Sequence, residues 1–137
     1  MRKDDCIFCK IANGEIPSNT IYEDEQFRVV LDVGPATKGH SLILPKNHAD
    51  NLFDLSSEDG AALVRVAQTV GGMLVNKLSA DGMNIVQNNG SVAGQTVMHF
   101  HLHLIPRYEN DNQTINWKPT QPEPETLSEI KSQIIDK

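Results

Sequence analysis

The sequence predicts an α+β domain with an antiparallel sheet of about five strands, one long helix and a further helix at the C-terminus. Three observations carry this. Short β-rich runs closed by turn residues come first, a single long stretch with helical apolar spacing follows, and two further extended runs come after it. The last run, MHFHLHLIPR, alternates imidazoles with apolar side chains at a period of two.

In chain order, Thr20 to Glu23 and Phe27 to Leu31 read as a hairpin, because β-branched and aromatic residues flank a polar turn. His40 to Leu44 is a third strand, closed by Pro45, which cannot donate to a ladder. Between them DVGPATKG is a loop. Ser56 is an N-cap with Asp59 three residues on, and Leu63, Val66, Val70, Leu74 and Leu78 then recur at helical spacing. The helix is expected over Ser57 to Leu78. Gly71 and Gly72 each cost about 1 kcal/mol there relative to alanine, so a kink or a close contact is expected at that point. GMNIVQN from Gly82 is a strand, NGSVAGQ a glycine-bearing loop, and the histidine strand follows. Beyond Arg107 the chain turns polar; PTQPEPET reads as an extended linker before a short helix from Leu127 to Ile135.

The 137 residues, 39% hydrophobic, suffice for one compact domain. A net charge of −6 gives no general attraction for nucleic acid or anionic membranes, so any phosphate chemistry must rest on local groups. The N-terminal MRKDDCIFCK has no apolar leader region, and no apolar run approaches a membrane span; a cytoplasmic protein is expected.

Alternation puts His99, His101 and His103 on one face of a strand and Phe100, Leu102 and Leu104 on the other. Three imidazoles on one face suit a metal-binding strand, a solvated face or a catalytic cluster. Just upstream, Asn88, Gly90, Gly94, Gln95 and Thr96 supply amides, small residues and a hydroxyl able to approach a phosphate. Cys6 and Cys9 have the spacing of half a zinc site, or are a pair of buried thiols; His48 and one member of the histidine cluster are the candidates to complete the site.

HFHLHLI fits His-φ-His-φ-His-φ-φ, with φ apolar, and resembles the signature of the histidine triad (HIT) superfamily of nucleotide hydrolases and transferases. CIFCKIANGEIPSNTIYEDEQFRVVLD, ATKGHSLILPKNHAD and NNGSVAGQTVMHFHLHLIPR are similar to that family's three blocks, with the closest likeness to bacterial Hint-like members carrying paired cysteines. The resemblance implies a HIT-like fold over residues 1–110, a polar tail over 111–137, and a homodimer with a purine nucleotide pocket on each subunit.

By the same resemblance, His101 is the nucleophile that takes the nucleotide covalently from its α-phosphorus, and His103 binds the phosphate. Gln95 and Thr96 contact the phosphate or leaving group. Asp32 binds the ribose, although a solvated loop aspartate is the alternative. Ile7, Phe8 and Leu31 wall the base pocket, or are plain core. Asn88 and His40 are further pocket residues, His40 with a structural role as the alternative. Cys6, Cys9, His48 and His99 would hold a structural Zn²⁺. The implied reaction is hydrolysis of nucleoside phosphoramidates; a dinucleoside polyphosphate hydrolase, a nucleotidyltransferase and a zinc-stabilised nucleotide-binding module without turnover are the alternatives. The tail departs from the family pattern, with Trp117 lying further along and an acidic segment after it.

Overall fold

In the computed structural model, which describes residues 1–135, five strands form one antiparallel sheet in the order β1-β2-β3-β5-β4. They are β1 (Thr20–Glu23), β2 (Phe27–Leu31), β3 (Ser41–Pro45), β4 (Gly82–Val86) and β5 (Leu102–Arg107). Three α-helices accompany them: α1 (Ile7–Ala12), α2 (Ser57–Leu78) and α3 (Pro124–Ile135).

The sheet is covered on both faces. Val29, Ile43, Phe100, Leu102 and Leu104 pack against Leu63, Val66, Val70 and Leu74 of α2, while Val30, Leu42 and Leu44 pack against Phe8, Ile11 and Ala12 of α1. Every residue of the central β3 is therefore buried, as a strand covered on both sides requires. α2 begins as its sequence suggests: Ser56 is extended and its hydroxyl accepts from the Asp59 N–H at 3.0 Å. The helix runs unbroken through Gly71, where an added Cβ would sit 3.2 Å from Met83 Sδ on β4. The glycine serves close packing, not a kink. Gly39 is needed more stringently: its φ is +91° and a Cβ would clash with the Leu78 side chain.

Several boundaries differ from the sequence reading: α3 starts at Pro124, within the stretch expected as linker and three residues before Leu127, and β4 ends at Val86, short of Asn88. β3 starts at Ser41 and β5 at Leu102, so His40, His99 and His101 precede the ladders. The alternation of faces survives, because the chain approaching β5 stays extended enough to leave Phe100 in the α2 core and His101 against Phe8 of α1, with ring centroids 5.1 Å apart. A further difference is α1, for which the sequence reading has no element. It is six residues long and capped by a thiol: Cys6 Sγ accepts from the Cys9 N–H at 3.3 Å.

Candidate functional site

The α1 face of the sheet carries two clusters side by side. In the first, Cys6 and Cys9 at the start of α1 meet His48, after β3, and His99, before β5. Cys6 Sγ lies 3.3 Å from His99 Nδ1, Cys9 Sγ is 3.4 Å from both Nδ1 atoms, and the two Nδ1 atoms are 3.2 Å apart.

Their tautomers follow from their other nitrogens. His99 Nε2 faces the Pro45 carbonyl at 2.9 Å and His48 Nε2 faces Asp50 Oδ1 at 2.7 Å, and neither oxygen can donate, so both Nε2 atoms carry the proton. Both Nδ1 atoms thus turn lone pairs toward each other and toward two sulfurs. A cation between them resolves that repulsion. Tetrahedral bonds of about 2.3 Å to sulfur and about 2.0 Å to nitrogen separate ligand atoms by about 3.3 to 3.8 Å, close to what is found. Burial pushes His99 down to about 4, which keeps it in the neutral, ligating form. The residues fit a metal, with Asp50 and Pro45 orienting its two imidazoles.

The second cluster lies in a cleft of about 320 Å³ lined by Phe8, Ile11, Leu31, Asp32, Thr96, His101 and His103, among others. His101 Nδ1 lies 2.7 Å from the His99 carbonyl and must donate to it. Its Nε2 therefore keeps a lone pair. The neighbouring histidines form a second chain of fixed tautomers. The Ala36 N–H donates to His40 Nδ1 at 2.9 Å, so His40 Nε2 carries the proton and donates to His103 Nδ1, also at 2.9 Å. His103 then carries its proton on Nε2. One ring offers a lone pair and the next an N–H, with centroids 5.1 Å apart. Burial first, and then the neighbouring His101 and His40, push His103 down to about 4, so it is neutral at pH 7. Burial lowers His40 too, against the opposing pull of Asp32, whose Oδ2 is 3.5 Å from His40 Nε2.

This cleft brings together Phe8, Leu31, Asp32, Thr96, His101 and His103 from the sequence-derived set. His40 stands behind His103. Ile7 instead lines an adjoining cleft of about 390 Å³ with Lys3, Asp50, Val97 and Met98, which shares Thr96 with the first. The Gln95 side chain is engaged inside its loop: Oε1 accepts from the Gly90 N–H at 2.8 Å, and Nε2 donates to the carbonyls of Asp50 at 2.6 Å and Val97 at 3.0 Å. Asn88 lies behind the same loop, its Nδ2 3.3 Å from where a Cβ on Gly94 would stand. Sequence reasoning missed Ala36 and Asp50. Asp50, two residues from His48, was findable as the carboxylate that a metal-binding histidine needs; a backbone N–H such as that of Ala36 leaves no trace in sequence.

The family model of the HIT domain matches residues 13–110, most of the chain. The chain belongs to the HIT family. Within that family it is 35% identical over 133 residues to the adenosine 5′-monophosphoramidase of Saccharomyces cerevisiae, spanning 96% of this chain and 82% of that protein. Among solved structures, Streptococcus mutans SMU.412c superposes with a TM-score of 0.91 at 39% identity, over 96% of this chain and 84% of that one. A zinc-bound histidine triad protein of Mycobacterium smegmatis superposes at 0.76 with 38% identity, over 94% and 97%. The HIT fold and a coarse assignment as a nucleotide hydrolase follow from this kinship. Among the described residues no helix is long and apolar enough to cross a membrane.

Proposed function

We propose that this HIT protein hydrolyses purine nucleoside 5′-phosphoramidates through a covalent nucleotidyl-His101 intermediate. The observation that carries the reading is the tautomer of His101: with Nδ1–H committed to the His99 carbonyl, Nε2 presents its lone pair on the cleft side. That lone pair attacks the α-phosphorus, the P–N bond breaks, and the leaving nitrogen departs as an amine after taking up a proton from solvent, which the attacking water of the second step returns. Water then cleaves the P–N bond to His101, releasing the nucleoside monophosphate and restoring the imidazole. His103, holding its proton on Nε2, donates to a phosphate oxygen as negative charge develops. Phe8 and Leu31 wall the base, Asp32 accepts from the ribose, and the Thr96 hydroxyl stands on the leaving-group side, where the two clefts meet.

Cys6, Cys9, His48 and His99 would hold zinc. Four protein ligands close a tetrahedral site, so the ion supplies cross-linking and no activated water. Its link to the chemistry is His99, whose ring faces the metal cage while its carbonyl orients His101.

The functional unit is a homodimer. β4 is an edge strand, bonded to β5 alone, with Ile85 55% exposed on it. An uncovered edge of this kind invites pairing with a second copy.

The deciding experiment incubates the protein with radiolabelled adenosine and guanosine phosphoramidates, diadenosine polyphosphates and nucleotide sugars, followed by rapid acid-free quench. Acid-labile label on wild-type protein, lost in His101→Ala together with turnover, is the expected result. Turnover in His101→Ala near the wild-type rate, or turnover of diadenosine polyphosphates alone, overturns the reading.

A further inference from the structure

Of the polar residues lining the cleft, Asp32, Thr96, His101 and His103 have a part in the chemistry above, and Ser18 and Asn19 do not. The sheet register shows where Ser18 stands. His103 pairs with Leu42, Leu42 with Val30 and Val30 with Thr20, so these residues form one row across β5, β3, β2 and β1 and share a face. Leu42 and Val30 pack against Phe8 and Ile11 of α1, and all four of these apolar residues line the cleft. Ser18, two residues before Thr20, turns to the same face, because its Oγ lies 2.9 Å from Thr20 Oγ1. Alternation turns the intervening Asn19 side chain away from it. The cleft thus runs from two imidazoles, over an apolar floor, to a hydroxyl.

That hydroxyl is fixed from behind. Arg28 Nη1 donates to Thr20 Oγ1 at 3.0 Å, and Arg28 is itself held by Nε, which donates to the Ala12 carbonyl at 3.1 Å, and by Glu23, 2.9 Å from Nη2. A hydroxyl that accepts from a cation becomes the stronger donor, so the Thr20 O–H donates to Ser18 Oγ and the Ser18 O–H is left to donate forward. The row from His103 to Thr20 crosses three strand spacings, about 14 Å. A purine nucleotide laid along it, with its phosphate at His103 and its ribose at Asp32, brings the far edge of the base to Ser18. That edge carries the exocyclic group at ring position 6, which is an oxygen acceptor in guanine and hypoxanthine and an amino donor in adenine.

We infer that Ser18 determines base preference, its hydroxyl donating to the exocyclic oxygen of a 6-oxopurine, so that guanosine and inosine nucleotides are favoured over adenosine nucleotides. The inference rests on the nucleotide hydrolase reading proposed above and names the base which that site favours. An outward O–H meets an oxygen as it stands. Against the adenine amino group it has to turn round and give up the order that Arg28 and Thr20 impose. Because Ser18 is exposed, one such hydrogen bond amounts to about 3 to 10-fold in affinity.

The test measures, by titration calorimetry on the full chain, the binding of GMP, IMP, AMP and purine riboside 5′-monophosphate, which has only hydrogen at position 6. Wild-type protein is expected to bind GMP and IMP about 3 to 10-fold more tightly than the other two. Ser18→Ala is expected to bring all four to within about 2-fold of one another, and Thr20→Val to shift the ratios the same way with Ser18 still in place. Ser18→Asp, which can only accept when ionised, is expected to turn the preference toward AMP. A wild-type protein without the 6-oxopurine preference, a preference that survives Ser18→Ala or Ser18→Asp, or an equal weakening of all four ligands in Ser18→Ala overturns the assignment while leaving the nucleotide site intact. Wild-type protein that binds none of the four overturns the nucleotide reading and this assignment with it.

Discussion

Two histidines two residues apart present opposite functions to the same cleft because each has one nitrogen already assigned. His101 gives Nδ1–H to a carbonyl, and His103 accepts at Nδ1 from His40. Replacing His40 by alanine frees His103 to populate either tautomer, and kcat/KM for a phosphoramidate is expected to fall about 10 to 100-fold, as for a lost orienting partner. His40→Gln, which can still donate, should recover part of the loss; a His40→Ala enzyme with wild-type kinetics would remove this role. Gln95 makes a different prediction. Its amide joins Gly90, Asp50 and Val97, so Gln95→Ala strands three backbone groups and is expected to lower unfolding free energy by about 2 to 3 kcal/mol in urea titration. If Gln95 served mainly as a phosphate contact, stability would change little and KM would rise instead.

At the scale of elements, α1 draws its position from the proposed metal cluster. It is too short to stand alone, and Cys6 and Cys9 fasten its first turn to His48 and His99. Cys6→Ser/Cys9→Ser is therefore expected to lose about one zinc per protomer by metal analysis and to melt at a lower temperature, since an ion bound only by the native state stabilises it. Metal-free wild-type protein purified without chelator would refute this, as would an unchanged melt after metal loss. The larger elements were legible in sequence: α2 from its Ser56 cap and apolar spacing, the hairpin and β4 from their β-rich runs. α1 was not, because six residues hold too few helical turns for a periodic signal and a thiol is an unusual cap. The ladder starts at Ser41 and Leu102 were illegible for another reason. Alternation reports which way side chains point, and it persists through His99 and His101 where no strand partner is present. The site residues were legible as a set of chemical types, yet which of them reach the cleft depends on hydrogen bonds such as those of Gln95.

For the molecule as a whole, burying neutral histidines ties stability to pH. His103 takes up its proton near 4 in the folded state and near 6.5 when unfolded. Between those values the unfolded chain binds more protons, so stability rises with pH from about 4 to about 6.5 and levels off above it. The melting temperature is expected to fall on acidification through that window, with a shallower fall in His103→Asn; parallel profiles for the two proteins would contradict the assignment. The bond pattern around His99 also has a consequence for how the molecule comes into being. Cys6 and His99 are 93 positions apart, and the carbonyl that aligns His101 belongs to the same residue. A growing chain on the ribosome therefore exposes its paired thiols long before their last imidazole partner is made. On the proposed reading, the metal site and the alignment of His101 mature together, late in synthesis, and a prematurely terminated chain possesses neither.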